Sequence, residues 1–168
     1  MHDLDKLLEE CKQELVAIGI TPGNVLAIVP WYNVRTWGLC TRLPDKVHYR
    51  IKINALLLAD DTPIEGAKNT VMHELLHTCP GGHGHKGKWA QYAARVNARY
   101  GYNIKRCGSI DEKGVDATKV KPRREGIVHY TYRCQKCGQL IKRKRKSKFT
   151  EHPEKYRCAH CGGKFAEI

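Results

Sequence analysis

The stretch NTVMHELLHTCPGGHGHKGKW, residues 69–89, holds four histidines and one glutamate, and it constrains the fold more than any other part of the chain. On a helix, residues four apart lie on one face and can reach one ion. His73 and His77 then face the same way, with Glu74 beside them. Two neutral imidazoles can hold zinc, an open coordination position admits water, and a neighbouring carboxylate takes its proton. Zinc brings the pKa of such a water down to about 7. H-E-x-x-H alone is only moderately specific, because any exposed helix can carry two histidines at this spacing. Context strengthens it here. Thr62, Pro63 and Glu65 read as a capping box with proline at the first helical position. Ile64, Ala67, Val71 and Leu75 line one face, so the spacing predicts a helix from 62 or 63 to about Cys79-Pro80.

A third ligand must come from elsewhere. No Asp or Glu stands between Glu74 and Asp111, which nearly closes the option of a glutamate on the next helix. His83 and His85 remain. His83 falls where H-E-x-x-H-x-x-G-x-x-H puts its last histidine. Pro80 occupies that pattern's glycine position, however, and Met1 and Met72 are the only methionines, so no later Met-turn exists. His85 opens the predicted next helix, HKGKWAQYAARVN, where a rigid element can hold it. Spacing leaves both histidines open. Tyr100, Tyr102, His83 and Arg95 are candidates, by nearness in sequence alone, for stabilising an oxyanion.

Before this helix, Leu4, Leu7, Leu8, Cys11, Leu15 and Ile18 recur at helical spacing and Gly19 stands where a C-cap would. VLAIV (25–29) reads as a buried strand ended by Pro30, and TWGLCTR (36–42) as a second strand. VHYRIKI alternates, with Val47, Tyr49, Ile51 and Ile53 on one face; such a strand can lie beside a cleft and pair with an extended peptide. After the histidines, Trp89, Ala93, Val96 and Tyr100 mark a helix stopped by Gly101. The order predicts an α+β domain over 1–107. Residues 108–125 are polar and unpatterned and read as a linker or long loop.

From residue 126 the pattern is short and β-like. Cys134 and Cys137, then Cys158 and Cys161, form two C-x-x-C pairs, a strong signal for a four-thiolate zinc ribbon over 126–168. Four thiolates fill a tetrahedral site, so this zinc is expected to be structural. Between the pairs, Lys142, Arg143, Lys144, Arg145, Lys146 and Lys148 crowd a segment expected to alternate faces of a hairpin or fill its tip. Tyr130, Tyr132, Phe149 and Tyr156 can form the ribbon's core or stack on bases.

Of the net charge of +13, residues 108–168 carry 16 Lys/Arg against 7 Asp/Glu. A basic tail of this kind fits a polyanion, above all nucleic acid. If about six phosphates are neutralised, log affinity should fall with log salt at a slope of roughly −4 to −5. Nothing in the run can specify a base sequence, so single-stranded or sequence-independent DNA is the expected partner. No stretch approaches the roughly 20 apolar residues of a membrane span. The acidic, amphipathic start MHDLDKLLEECKQEL is not of secretory type, so a cytoplasmic, DNA-associated location is expected. Eight cysteines in such a context do not read as a disulfide framework.

HELLH, a loop, then GHKGKW and RVN resemble the SprT-like (Spartan-type) zinc metalloprotease domain, over roughly residues 3–107. The C-terminal cysteine pairs resemble the ribbon of many members. This resemblance implies a minimal zincin-like fold, with a small sheet packed on the metal-bearing helix pair. It implies His85, four residues before the aromatic Trp89, as the third ligand of a catalytic zinc beside His73 and His77, with Glu74 as general base. It further implies an endopeptidase that cleaves DNA-bound or DNA-crosslinked proteins, with two zinc sites, one catalytic and one structural. A non-catalytic, zinc-containing nucleic-acid-binding protein with a regulatory role is the alternative expectation. A zinc hydrolase acting on something other than protein is a third.

Overall fold

The computed structural model describes residues 2–121 and 126–168. The chain divides into two compact units, Met1–Pro122 and Arg123–Ile168. The first is α+β, with α1 (Leu4–Ala17), β1 (Asn24–Trp31), β2 (Gly38–Arg42), β3 (His48–Asn54), α2 (Ile64–Leu76) and α3 (Lys88–Tyr100).

Helix α1 forms as its spacing predicts. The Asp3 carboxylate accepts the Lys6 amide, Leu4, Leu7, Leu8, Cys11 and Leu15 are buried, and Gly19 takes the left-handed conformation past its end. The sheet order is β1-β3-β2, with β1 parallel and β2 antiparallel to β3. Tyr49, Ile51 and Ile53 of β3 are buried, as alternation predicts, while Val47 lies before the strand and is exposed. With β3 in the centre, both of its edges are used, so it cannot pair with a peptide. The outer edges belong to β1 and β2. Strand β1 runs on through Pro30 to Trp31 instead of stopping at the proline. An edge strand tolerates one missing N–H, because half of its amides face away from the sheet.

Helix α2 is the central element. Ala67, Val71, Met72, Leu75 and Leu76 are all essentially inaccessible, in one cluster with α1, β3 and α3. The expected capping box is not formed: the Thr62 hydroxyl donates to the Leu56 carbonyl, and α2 starts at Ile64 without a side-chain cap. The magnitudes explain this. A cap contributes about 1 kcal/mol, whereas each buried aliphatic side chain contributes roughly 1.5–3 kcal/mol, so burial decides where α2 sits. Its regular hydrogen bonding ends at Leu76, and the amides of His77, Thr78 and Cys79 turn to carbonyls three residues back.

The segment after α3 is not a free linker. Val115 is buried, and Ile110 and Val120 pack against the first unit's core. Gly66 of α2 lies so close to Lys113 that a Cβ there would meet the Lys113 carbonyl at 2.2 Å. Residues 108–121 therefore belong to the first unit, and 122–125 lie outside the described residues.

The second unit is a three-stranded antiparallel sheet, β5-β4-β6, built from β4 (Tyr130–Cys134), β5 (Leu140–Arg143) and β6 (Phe165–Glu167). A short helix, α4 (Lys148–Glu151), starts on a capping box in which Ser147 and Thr150 bond each other's backbone amides. Among the described residues, no helix is long and apolar enough to cross a membrane.

Candidate metal centre

Two groups of side chains converge as metal ligands do: His73, His77 and His85 in the first unit, and Cys134, Cys137, Cys158 and Cys161 in the second. Helix α2 presents His73 and His77 one turn apart, as predicted. His85 arrives differently. It lies in the loop before α3, which starts only at Lys88, so contacts hold it rather than helical backbone. Its Nε2 lies 3.0 Å from His73 Nε2 and 3.2 Å from His77 Nε2. Zn–N distances of about 2.0–2.1 Å place tetrahedral nitrogens roughly 3.3 Å apart, so the three fit one ion.

Their surroundings supply the right protonation state. His77 Nδ1 bonds the Gly82 carbonyl at 2.9 Å, which leaves its Nε2 lone pair free for a metal. Gly82 is required there, because a Cβ would meet the Leu76 carbonyl at 2.1 Å. Burial, then the neighbouring His77 and His85, pushes His73 down to about 3. Burial also lowers His77 and His85. Three neutral imidazoles with converging lone pairs are a donor set for a borderline cation such as zinc. Trp89 forms the wall behind them, with its ring 4.7 Å from His85, 4.8 Å from His73 and 5.5 Å from His77. Its buried Nε1 has no hydrogen-bond partner among the described residues.

Glu74 is buried between α2 and β2. The Cys40 amide bonds its carboxylate, and a Cβ on Gly38 would meet Oε1 at 2.6 Å. The Leu43 amide bonds the His48 carbonyl and the Asn54 amide the Trp37 carbonyl. Odd-numbered residues of this stretch thus bond β3, and Gly38, Cys40 and Arg42 turn their polar backbone groups to the open edge. Glu74 therefore stands at the one sheet edge beside the histidines.

Burial raises Glu74 to about 7, opposed by the Cys40 amide and by Lys113. Between its ordinary 4.5 and about 7, the folded chain holds this proton more tightly than the unfolded chain. Stability therefore falls as pH rises through that window. In chelator-treated protein, Glu74→Gln should be more stable than wild type above pH 7, by about 3 kcal/mol. The gap should vanish below about pH 4.5. Urea melts at pH 4 and pH 8 test this, and a gap that does not shrink with pH overturns it.

A cleft of about 500 Å³ opens on these groups, lined by His73, Glu74, His77, His83 and His85 together with β2. Of the four candidate oxyanion donors, only His83 lines it. The Tyr100 and Tyr102 hydroxyls bond Glu14, and Arg95 bonds the Ile18 carbonyl. Sequence reasoning missed Arg35, Arg42, Lys105, Arg106 and Lys113, which also line the cleft. Three of them follow α3 or sit in the segment read as a linker. The Lys113 ammonium bonds the Thr70 hydroxyl at 2.7 Å, one helical turn from Glu74.

In the second unit, Sγ of Cys134 and Cys161 are 3.4 Å apart and those of Cys137 and Cys158 3.7 Å. The two knuckles match: the Gly138 amide bonds the Cys134 carbonyl and the Gly162 amide that of Cys158. Both glycines have positive φ. Gly163 leaves the sulfurs room, since a Cβ there would lie 2.7 Å from Cys134 Sγ. Amides of Cys137 and Lys136 favour the thiolate at Cys134. Four converging sulfurs fill a tetrahedral site and fit a structural metal.

Tyr132 and Phe149 are buried, and Phe149 packs edge-on against Tyr132, Tyr156 and Phe165, so two of the four aromatics are core. Tyr156 is exposed and Tyr130 partly so. The basic run is no hairpin tip. Lys142 and Arg143 end β5, Lys144 and Arg145 fall in the following bend, Lys146 lies between that bend and α4, and Lys148 opens α4; all six side chains are exposed.

No family model, curated protein or solved structure matches this chain.

Proposed function

We propose that the chain is a zinc-dependent endopeptidase of SprT-like type, with a zincin-like first unit and a ribbon that recruits it to DNA, acting on DNA-bound or DNA-crosslinked proteins. The observation that carries this reading is the company His73, His77 and His85 keep: a buried carboxylate, Glu74, at an open sheet edge within the same cleft. A site that only stabilised the fold would gain nothing from a carboxylate at that place, because burying it opposes folding at neutral pH. The alternative, a non-catalytic nucleic-acid-binding protein, leaves Glu74 without a task.

Zinc held by the three histidines would supply Lewis acidity toward a carbonyl oxygen and toward water. The chain's own part is positioning and proton transfer. The outward backbone groups of Gly38 and Arg42, with the Cys40 carbonyl, can hold an extended peptide against the cleft by main-chain hydrogen bonds, while the Cys40 amide is kept for Glu74. Glu74, in the cleft with the three histidines, is placed to take a proton from water and pass it to the leaving amine. Its hydrogen bond from Cys40 fixes its orientation while it does so.

The ribbon's exposed cations give sequence-independent affinity for phosphates. Tethering a weakly specific protease to DNA raises its effective concentration on proteins bound there. The test is cleavage of a DNA-binding protein with and without single-stranded DNA, and with a chelator. Cleavage that requires both metal and DNA supports the whole reading, whereas cleavage indifferent to DNA removes the recruiting role from the ribbon. Independently, Cys134→Ser should lower affinity for single-stranded DNA at least about tenfold, by unfolding the unit that displays the cations. It should leave the first unit folded, as read by Trp fluorescence and by thermal melting. Unchanged DNA affinity would sink the ribbon's assigned role.

A further inference from the structure

The cleft carries a charge that the catalytic reading does not use. Arg35, Arg42, Lys105, Arg106 and Lys113 line it, against the single carboxylate of Glu74. Only Lys105 is neutralised, by Glu112; the other four make no ion pair among the described residues. Arg42 spends one N–H on the Lys46 carbonyl and keeps its charge, whereas Lys113 bonds the uncharged Thr70 hydroxyl and is the most buried of the five, its pKa lowered by that burial. Two separate segments supply these cations. Arg35 precedes β2 and Arg42 ends it, while Lys105, Arg106 and Lys113 follow α3. A metal ion at the histidines would add further positive charge. A concave, partly buried site lined by one sign of charge focuses its field and concentrates ligands of the opposite sign. Acidic side chains entering here also relieve the repulsion among the cations.

We infer that the cleft selects acidic peptide segments, with Asp or Glu flanking the bond held against β2, and that Arg35 and Arg106 are the main determinants of this preference. The inference rests on the peptidase reading and names its substrate class. A peptide rather than a nucleic acid is favoured because the cations surround an open strand edge, which recognises extended main chain. The preference also suits proteins bound to DNA. Their basic faces lie on the phosphates, and their acidic segments are repelled from the duplex and remain free.

The experiment uses the full chain and two fluorogenic peptides. They are identical except that two Asp/Glu pairs flanking the cleaved bond are replaced by Asn/Gln. In 50 mM salt, kcat/KM for the acidic peptide is expected to exceed that for the neutral one about tenfold to thirtyfold, a few-fold for each partly exposed pair formed. Arg35→Gln/Arg106→Gln should bring this ratio close to one, and Arg35→Glu/Arg106→Glu should invert it in favour of a Lys-flanked peptide. Equal cutting of both peptides by wild type overturns the inference and leaves the peptidase reading standing. If neither peptide is cut, the peptidase reading fails, and fluorescence anisotropy of the acidic peptide decides the inference separately. Weaker binding by Arg35→Gln/Arg106→Gln than by wild type, with the ribbon untouched, supports an acidic-peptide cleft; equal binding overturns it. Loss of single-stranded DNA affinity in that variant, with the peptide ratio unchanged, assigns the cleft to nucleic acid and overturns it as well.

Discussion

Glu74→Gln should lower kcat for peptide cleavage about 10²- to 10⁴-fold, the range ascribed to a positioned general base, while leaving the metal content of the chain unchanged. Glutamine has nearly the same shape and can still accept the Cys40 amide through its carbonyl oxygen. It fits the space against Gly38 that the carboxylate fills. What it cannot do is accept a proton. Because the three histidines do not depend on Glu74 for position, metal analysis should report the same stoichiometry for both proteins. Initial rates on one peptide, with metal measured on the same samples, separate the possible roles. A large loss at constant metal fits a proton acceptor. A loss accompanied by metal release would make Glu74 a structural support of the site, and full activity in the variant would remove it from the chemistry altogether.

The direction of the stability effect gives this variant a second use. The same substitution that removes activity should make the metal-free protein more stable above pH 7, because a buried carboxylate is costly when charged. A residue whose loss stabilises the fold and abolishes the activity is held in place for function rather than for folding.

Much of this site was readable in sequence because its chemistry is encoded locally. His73, Glu74 and His77 owe their arrangement to the pitch of one helix, and helical pitch is independent of tertiary contacts. The two C-x-x-C pairs and their glycines are equally local, and Gly138 and Gly162 take the positive φ that the knuckles demand. What sequence could not give was anything decided by packing. Thr62 looked like a cap, but burial turned its hydroxyl to Leu56. The alternation in VHYRIKI correctly predicted a strand, and Tyr49 of β3 does line the cleft, but alternation says nothing of a strand's neighbours: β3 is central, so the edge open to a peptide belongs to β2. The basic lining was the largest omission. Lys113 lies in a polar stretch without period, and its only advance signals were Val115 and Gly66: an isolated apolar residue, and a glycine inside a helix where alanine would otherwise be better. Each makes sense once the segment is seen packed on α2.

His85→Ala should release the metal of the first unit and His83→Ala should not, so that metal content falls from about two ions per chain to about one only in the first variant. Spacing left both histidines open, and the geometry separates them. Only His85 belongs to the group of converging ligand atoms; His83 lines the cleft without joining it. Removing one of three protein ligands should weaken binding more than the roughly 10- to 100-fold that follows loss of a residue supporting a ligand. The folded state should survive, because His85 sits in a loop and is only half-buried, whereas Trp89 beneath it is 2 % exposed and anchors α3. That arrangement also provides the readout. Trp89 touches all three imidazoles, so metal addition to wild type should change its fluorescence, and the change should persist in His83→Ala and be lost in His85→Ala. Metal retained by His85→Ala and lost by His83→Ala would mean that the loop 81–87 rearranges to place the other histidine. Glycines 81, 84 and 87, all at positive φ, make that loop the one element near the site whose backbone other residues would strain to follow. The experiment therefore tests the loop as well as the ligand: His85 can serve only if this glycine-rich path holds it without help from a helix.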